Sequence, residues 1–130
     1  MQSDGALLRF ALFADALVSG ATGFFAFAGA GILEGILGLP TPLLRFAGLS
    51  LLPYAAVVAY VGTRDVASRP AVWAIIAYNA LWALDSILLL ASGYVAPTIL
   101  GVAFVVFQAA VVAAFALLQY VGLRRLAVAA

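Results

Sequence analysis

The chain has 130 residues, of which 68% are hydrophobic and only 8% are charged, and its mean hydropathy is +1.24. A soluble domain keeps roughly a quarter of its residues charged because its surface must face water, so this composition excludes a soluble enzyme, a nucleic-acid binder and a disordered linker. The net charge of +1 is also too small to bind a polyanion such as a nucleic acid.

The residue types that are missing from the chain exclude several kinds of catalytic and metal-binding site. The chain contains no Cys and no His, and all six of its basic residues are Arg. It therefore has no thiolate or imidazole for a metal, a haem or a nucleophilic site, and no Lys for a Schiff base. We expect a protein that is not an enzyme, with no catalytic residue, no metal site and no cofactor.

Four apolar stretches are long enough to cross a bilayer, which requires about 20 residues. Gly and Pro separate the stretches, and the continuous hydrophobicity favours helices over alternating strands. The sequence predicts a single all-α transmembrane domain, a bundle of four transmembrane helices arranged as two tandem hairpins. The predicted spans cover residues 7–28, 43–62, 71–92 and 98–122.

The first connection is longer than a simple loop. Apolar sequence continues from Leu7 to Leu39, which as one helix would be about 50 Å long and would overshoot the hydrocarbon core. We therefore expect a bend near Gly29-Ala30-Gly31. A short interfacial helix over Ile32–Leu39 then follows, with Glu34 facing water.

The Arg residues are distributed unevenly between the two ends of the predicted bundle. If the spans alternate in direction, Arg45 lies at one end and the other five lie at the opposite end, namely Arg9, Arg64, Arg69, Arg124 and Arg125. The positive-inside rule then places both termini in the cytoplasm. Ala26-Phe27-Ala28 resembles a signal-peptidase site, but Asp15 interrupts the apolar segment before it, so we expect no cleavage.

The two halves of the chain show internal similarity. Tyr60-Val61-Gly62-Thr63-Arg64 ends the second span and Tyr120-Val121-Gly122-Leu123-Arg124 ends the fourth, while Asp15-Ala16-Leu17 aligns with Asn79-Ala80-Leu81. These matches predict a tandem repeat over residues 7–64 and 71–125, in which each half is one hairpin inserted in the same direction. Chance similarity in so biased a composition is the alternative.

Polar side chains gather near the middle of the predicted spans. Counting 1.5 Å per residue, each span contributes one hydrogen-bonding side chain to a common layer, and Asp85 and Ser86 form a second layer nearer the other face. A carboxylate at this depth must be protonated, paired or hydrogen-bonded. The polar core therefore predicts either a proton relay from Asp15 to Asp85 or structural hydrogen bonds between helices. The common layer consists of Asp15, Tyr54, Asn79 and Gln108.

Trp82 is unusual at mid-span, because Trp prefers the membrane interface and its indole N–H needs an acceptor. Asn79, Trp82 and Ser86 share one stripe of the third predicted helix, and we expect Asp85 or Asn79 to be that acceptor. The two interpretations of Trp82 are a wall for an apolar ligand and simple core packing.

Two segments carry a resemblance to known proteins, Asn79-Ala80-Leu81-Trp82 and the terminal Gln119–Arg125. Over nearly its whole length the chain resembles a group of small four-span bacterial inner-membrane proteins, which implies the fold and no particular activity. In length and number of spans it is also similar to the small multidrug-resistance carriers, whose first helix has a membrane-embedded Glu where this sequence has Asp15. That similarity implies transport, although those carriers have no internal repeat and a shorter first half.

Three functional hypotheses follow. The first is a non-enzymatic accessory or scaffold subunit that joins a larger membrane complex through lateral helix contacts. The second is a proton-coupled carrier or channel, acting as a homo-oligomer and using Asp15. The third is a binder of an apolar molecule (a quinone, carotenoid or lipid) in the bundle core around Trp82 and Tyr54. In each case the lipid bilayer is the surrounding partner, and no nucleic acid is expected.

Overall fold

Five α-helices form the chain in a computed structural model, which describes the backbone of residues 2–129 and the side chains of residues 5–126. The first, third, fourth and fifth helices each contain a segment long and apolar enough to cross a membrane. The predicted all-α bundle of four membrane-spanning helices is therefore confirmed. The helices are α1 (Gln2–Ala28), α2 (Ala30–Leu37), α3 (Thr41–Thr63), α4 (Arg69–Ser92) and α5 (Ile99–Ala129).

The last helix is longer than the predicted span of residues 98–122, because α5 continues to Ala129. Gly122 does not end the helix. A Cβ at this position would lie 2.8 Å from the Cα of Leu8, so the glycine allows α1 to approach α5 closely at a point where the helix continues. The residues that follow Gly122 include neither Gly nor Pro, so nothing in their type breaks the helix.

The short helix expected after the first span is present as α2, and it begins directly after Gly29. It ends at Leu37 and is capped by Gly38, whose φ of 72° lies in the left-handed region that favours glycine. Two hydrogen bonds then join α2 to the start of α5. The Thr98 N–H donates to the carbonyl of Leu37 over 2.9 Å, and the Thr98 hydroxyl donates to the carbonyl of Ile36 over 2.8 Å.

The spanning helices are arranged in the order α3, α1, α5, α4 around the bundle. α1 packs extensively against α3 and also contacts α5, and α4 packs mainly against α5, whereas the α3 and α4 backbones approach each other little. Close approach of α1 and α3 depends on Gly48, where a Cβ would lie 2.5 Å from the carbonyl oxygen of Gly23. The bundle therefore has one incomplete seam, between α3 and α4.

Buried apolar side chains form two clusters at opposite ends of the bundle. The cluster near the Arg-rich end contains Leu8, Leu12, Leu51, Tyr54, Val58, Val61, Val72, Ile75 and Leu123. The cluster near α2 contains Ala30, Leu37, Leu39, Leu44 and Val105.

The two segments that carry the predicted repeat make matching local contacts. The Arg64 guanidinium lies 5.1 Å from the centre of the Tyr60 ring, and the Arg124 guanidinium lies 5.8 Å from the centre of the Tyr120 ring. In both pairs the Arg also donates a hydrogen bond to the Tyr hydroxyl one helical turn earlier. The tandem repeat itself stays a prediction.

Candidate functional site

The centre of the polar interior is the carboxylate of Asp15, which is 0% exposed. Its Oδ1 accepts a hydrogen bond of 2.8 Å from the Ser19 hydroxyl. Its Oδ2 accepts from the Tyr54 hydroxyl over 2.7 Å, from Asn79 Nδ2 over 2.8 Å and from Gln119 Nε2 over 2.8 Å. Because these donors lie on α1, α3, α4 and α5, one side chain of α1 is bonded to all four spanning helices.

The donors also bond to one another. Asn79 Nδ2 lies 3.1 Å from Gln119 Oε1 and donates to it, while the Tyr54 hydroxyl lies 3.0 Å from Asn79 Oδ1. Among the residues whose side chains are described, no buried polar atom lacks a partner. The expected hydrogen-bonded solution for the buried carboxylate is therefore the arrangement that the structure has. We call Asp15, Ser19, Tyr54, Asn79 and Gln119 the Asp15 cluster.

Gln119 takes the place in this cluster that the depth count predicts for Gln108. That count runs from residue 98, the outer end of the fourth predicted span, through a hydrocarbon core of about 30 Å, whereas α5 extends to Ala129 and Gln119 lies level with Asp15. Ser19 was also missed, although its position four residues after Asp15 puts both side chains on one helix face. The level of Gln119 depends on the length and tilt of α5, and no residue pattern in the sequence marks either of them.

Gln108 belongs to a second, half-buried group with Trp82 and Ser86. The Trp82 indole N–H donates to Gln108 Oε1 over 2.8 Å, so the acceptor is Gln108 and the expected acceptors Asp85 and Asn79 were wrong. Gln108 Nε2 in turn donates to the Ser86 hydroxyl over 2.9 Å. These three side chains join α4 to α5 at a level between the Asp15 cluster and α2.

A column of aromatic rings connects the two polar groups. The Tyr54 and Tyr78 rings stack with centroids 4.0 Å apart, and the Tyr78 and Trp82 rings stack at 5.8 Å. The Tyr78 hydroxyl also lies within hydrogen-bonding distance of the Ser50 hydroxyl, at 3.3 Å. The column closes the seam between α3 and α4 in the half of the bundle that contains Asp15.

In the other half, the same seam opens into a groove of about 360 Å³. All four spanning helices contribute to its lining, which is mostly aliphatic and aromatic, including Phe46 of α3 and Phe104 of α5. Trp82, Ser86 and Gln108 line the same groove and give it a few polar atoms. A largely apolar cavity of this size with a small number of fixed polar groups is typical of small-molecule sites.

Asp85 also lines this groove, and its side chain is exposed. The sequence predicts that it turns towards the interior and forms an outer relay for Asp15. Asp85 and Ser86 both line the groove, while Asp15 is completely enclosed in its own cluster, and the relay between the two carboxylates stays a prediction. A carboxylate at this position offers a hydrogen-bond acceptor to a molecule in the groove.

Among the described residues, no three acidic side chains gather closely enough to hold a metal ion. The side chains of the two polar groups donate and accept hydrogen bonds, and the Asp15 carboxyl can also exchange a proton. Comparison of the chain with protein-family models, with curated proteins and with solved structures gave no match.

Proposed function

We propose that this multi-pass membrane protein binds a lipid-soluble molecule in the groove between α3 and α4. The observation that carries the proposal is the groove itself, which is lined by all four spans and contains Trp82, Ser86, Gln108 and Asp85 among apolar walls. It lies where the α3 and α4 backbones separate, so a ligand would enter sideways from the bilayer. Its ligand would be an apolar molecule that carries a hydrogen-bonding group.

The experiment fills the groove and measures what the protein retains. Ala47 lines the groove and is half-buried, so Ala47→Trp places an indole in the space that the ligand would occupy. Ala110→Trp is the matched control, because Ala110 is exposed on α5 and is not part of the groove lining. Purified protein is extracted with organic solvent, and the extract is quantified by mass spectrometry.

We expect one lipophile in stoichiometric amount from the wild type and from the Ala110→Trp control, with at least a tenfold lower amount from Ala47→Trp. Equal amounts from both variants would show that the molecule binds elsewhere. Extracts that contain only bulk membrane lipid in variable amounts would exclude a specific ligand.

A second candidate, proton-coupled transport through Asp15, is supported by the position of the Tyr54 hydroxyl. This hydroxyl lies 2.7 Å from Asp15 Oδ2 and 3.0 Å from Asn79 Oδ1. It can donate to Asp15 when the carboxylate is ionised, or accept from a protonated Asp15 and donate to Asn79. Both protonation states are thus hydrogen-bonded without movement of the heavy atoms, as a proton relay requires.

Proton flux into proteoliposomes that contain a pH-sensitive dye tests this second candidate. Asp15→Asn should abolish the flux of a protein that still folds, whereas Asp85→Asn should leave it unchanged because Asp85 is outside the cluster. Flux that persists in Asp15→Asn would eliminate the relay.

The accessory-subunit hypothesis stays a prediction, since an exposed apolar face on a spanning helix suits lipid as well as a partner helix. Native mass spectrometry after gentle extraction distinguishes the two outcomes. A persistent heterocomplex would support the accessory role, and a bare homo-oligomer or monomer would oppose it.

We also propose the bacterial inner membrane as the location, with both termini in the cytoplasm. The support is the uneven Arg distribution, with only Arg45 at the end of the bundle near α2. A fluorescent protein fused to the C-terminus should then be bright and an alkaline phosphatase fusion inactive. The reverse result would invert the topology.

A further inference from the structure

A second cavity, of about 380 Å³, lies at the Arg-rich end of the bundle, on the opposite side of the Asp15 cluster from the groove. It is bounded by the start of α1, the end of α3 and the connection to α4, with Leu126 of α5 completing the wall. Three of the six Arg residues line it, one from α1 and two from the two ends of the connection between α3 and α4. These residues are Arg9, Arg64 and Arg69.

The positions of two of these side chains are fixed by local contacts. Arg9 Nη2 donates a hydrogen bond of 3.0 Å to the backbone carbonyl of Arg64, which ties α1 to the end of α3. The Arg64 guanidinium lies over the Tyr60 ring, 5.1 Å from its centre. A guanidinium has five N–H donors, so both residues retain donors for a ligand.

The charge in the cavity is unbalanced. Asp65 is the one acidic side chain among the described residues that line it, against the three guanidinium groups. Arg groups in this arrangement bind phosphate oxygens through charge-assisted and bidentate hydrogen bonds. A zwitterionic headgroup brings its own cation into this positive field, so an anionic phosphate ligand is favoured.

The floor of the cavity is apolar. Leu8, Leu12 and Val61 form its buried base, while Leu126 is half-buried and Val66 is 83% exposed, so the walls offer apolar surface to a ligand. A free phosphate ion gains nothing from such a surface, whereas a phospholipid supplies a phosphate for the rim and acyl chains for the apolar part. The cavity also lies at the end of the spanning segments, at the level of lipid headgroups.

We propose that this cavity binds an anionic glycerophospholipid, with Arg9, Arg64 and Arg69 around its phosphate. Basic pockets between the ends of spanning helices recognise lipid headgroups in this way. The proposal is independent of the ligand in the groove, because the two cavities share none of their described lining residues.

The test is a lipid titration of the full-length protein in detergent, followed by native mass spectrometry. The probes are phosphatidylglycerol, phosphatidylcholine and inorganic phosphate. We expect retention of one phosphatidylglycerol, weaker binding of phosphatidylcholine, and no displacement of the lipid by millimolar phosphate. Equal affinity for the two lipids, or binding of phosphate alone, would overturn the proposal.

Arg69→Gln is the decisive variant, because Arg69 contributes to the cavity and its side chain makes no hydrogen bond to another described residue that the change would break. It should weaken phosphatidylglycerol binding about fivefold, which corresponds to about 1 kcal/mol for one Arg near a membrane surface. Arg9→Gln should weaken binding by at least as much. Arg125→Gln is the matched control, since it removes the same charge at the same end but outside the cavity lining.

An unchanged affinity in Arg125→Gln supports the cavity as the binding site. A loss in Arg125→Gln as large as that in Arg69→Gln would show that the lipid responds only to the total surface charge. Thermal unfolding without added lipid verifies that each variant is folded, and Arg69→Gln provides the answer if Arg9→Gln does not fold.

Discussion

Asp15 accepts hydrogen bonds from four side chains, and all four donors are neutral groups. Hydrogen bonds to an ionised group contribute about 1.5–3 kcal/mol each, compared with about 0.5–1.5 kcal/mol for a neutral pair. The loss of stability when one donor is removed therefore indicates whether the carboxyl group of Asp15 is charged.

Gln119→Leu removes one donor to Asp15 and one of the two acceptors of Asn79 Nδ2. We expect the free energy of unfolding to fall by about 1.5–3 kcal/mol, measured by titration with a denaturing detergent in mixed micelles. Gln108→Leu is the comparison, because it removes a half-buried Gln whose three hydrogen bonds all join neutral groups and should cost about 0.5–1.5 kcal/mol for each bond. An equal loss per hydrogen bond in the two variants would mean that Asp15 is uncharged in the folded protein.

Asp15 and Asn79 occupy corresponding positions in the predicted repeat and are bonded to each other over 2.8 Å. Asp15→Asn alone places an amide N–H₂ group against donors, and Asn79→Asp alone places two carboxylates in contact. The double variant Asp15→Asn with Asn79→Asp restores one carboxylate and one amide to the pair. We expect the double variant to recover at least half of the stability that Asp15→Asn loses, measured by the same detergent titration.

A strictly additive loss in that double variant would show that the two positions are not interchangeable. It would also count against the tandem repeat, because equivalent positions should exchange their side chains most readily. Asp15→Asn combined with Ser86→Asp is the control, since Ser86 lies outside the cluster and cannot restore the carboxylate.

At the level of the helices, the contact between α1 and α3 depends on glycine. Gly48→Ala would place a Cβ 2.5 Å from the Gly23 carbonyl oxygen and 2.7 Å from the Phe27 nitrogen, and neither backbone atom can move independently of α1. We expect a loss of about 1–3 kcal/mol in the free energy of unfolding. Gly35→Ala is the control, because a Cβ at that position would meet nothing within 4 Å and Ala favours a helix by about 0.5–1 kcal/mol. If Gly35→Ala also loses stability, the assay responds to any change of Gly to Ala in a helix and does not measure the contact between α1 and α3.

The connection between α2 and α3 is held by Glu34, whose Oε1 accepts hydrogen bonds from the backbone N–H of Thr41, over 2.8 Å, and from its hydroxyl. The hydroxyl first, and then the N–H, lower the pKa of Glu34 below its ordinary value of 4.5. A carboxyl with a lowered pKa in the folded state contributes stability above its unfolded pKa, and loses that contribution as the pH falls through the folded value.

We therefore expect protection of the Thr41 amide from hydrogen exchange to decrease as the pH falls below about 4.5, after correction for the intrinsic exchange rate. Glu34→Gln keeps an oxygen acceptor without a charge, so its protection should be lower at pH 6 and independent of pH. Parallel pH profiles in the two proteins would show that the Glu34 charge does not hold this connection.

For the whole molecule, hydropathy was enough to predict the spans, because a helix in lipid must be apolar over about 20 residues wherever it packs. The pairing of Asp15 with Tyr54 and Asn79 also followed, since all three are polar side chains at similar depth. The acceptor expected for the Trp82 indole N–H was wrong for a related reason. A helix that faces lipid and protein is apolar on both sides, so the periodicity that identifies the buried face of a soluble helix is weak. The presence of Gln119 beside Asp15, where Gln108 was expected, depended on the length of α5, which no Gly or Pro marks.

The bonds around Asp15 also have a consequence for the order in which the chain enters the membrane during synthesis. Of its donors, Ser19 and Tyr54 are present once the first hairpin is inserted, but Asn79 and Gln119 follow 64 and 104 residues after Asp15. Until the ribosome has released the last helix, the first hairpin therefore carries an incompletely bonded carboxylate in the lipid, at a cost of several kcal/mol. We expect a chain truncated after Ser92 to be degraded faster than the full chain in a pulse-chase experiment, and Asp15→Leu to abolish that difference. The buried carboxylate would then mark unfinished chains for proteolysis.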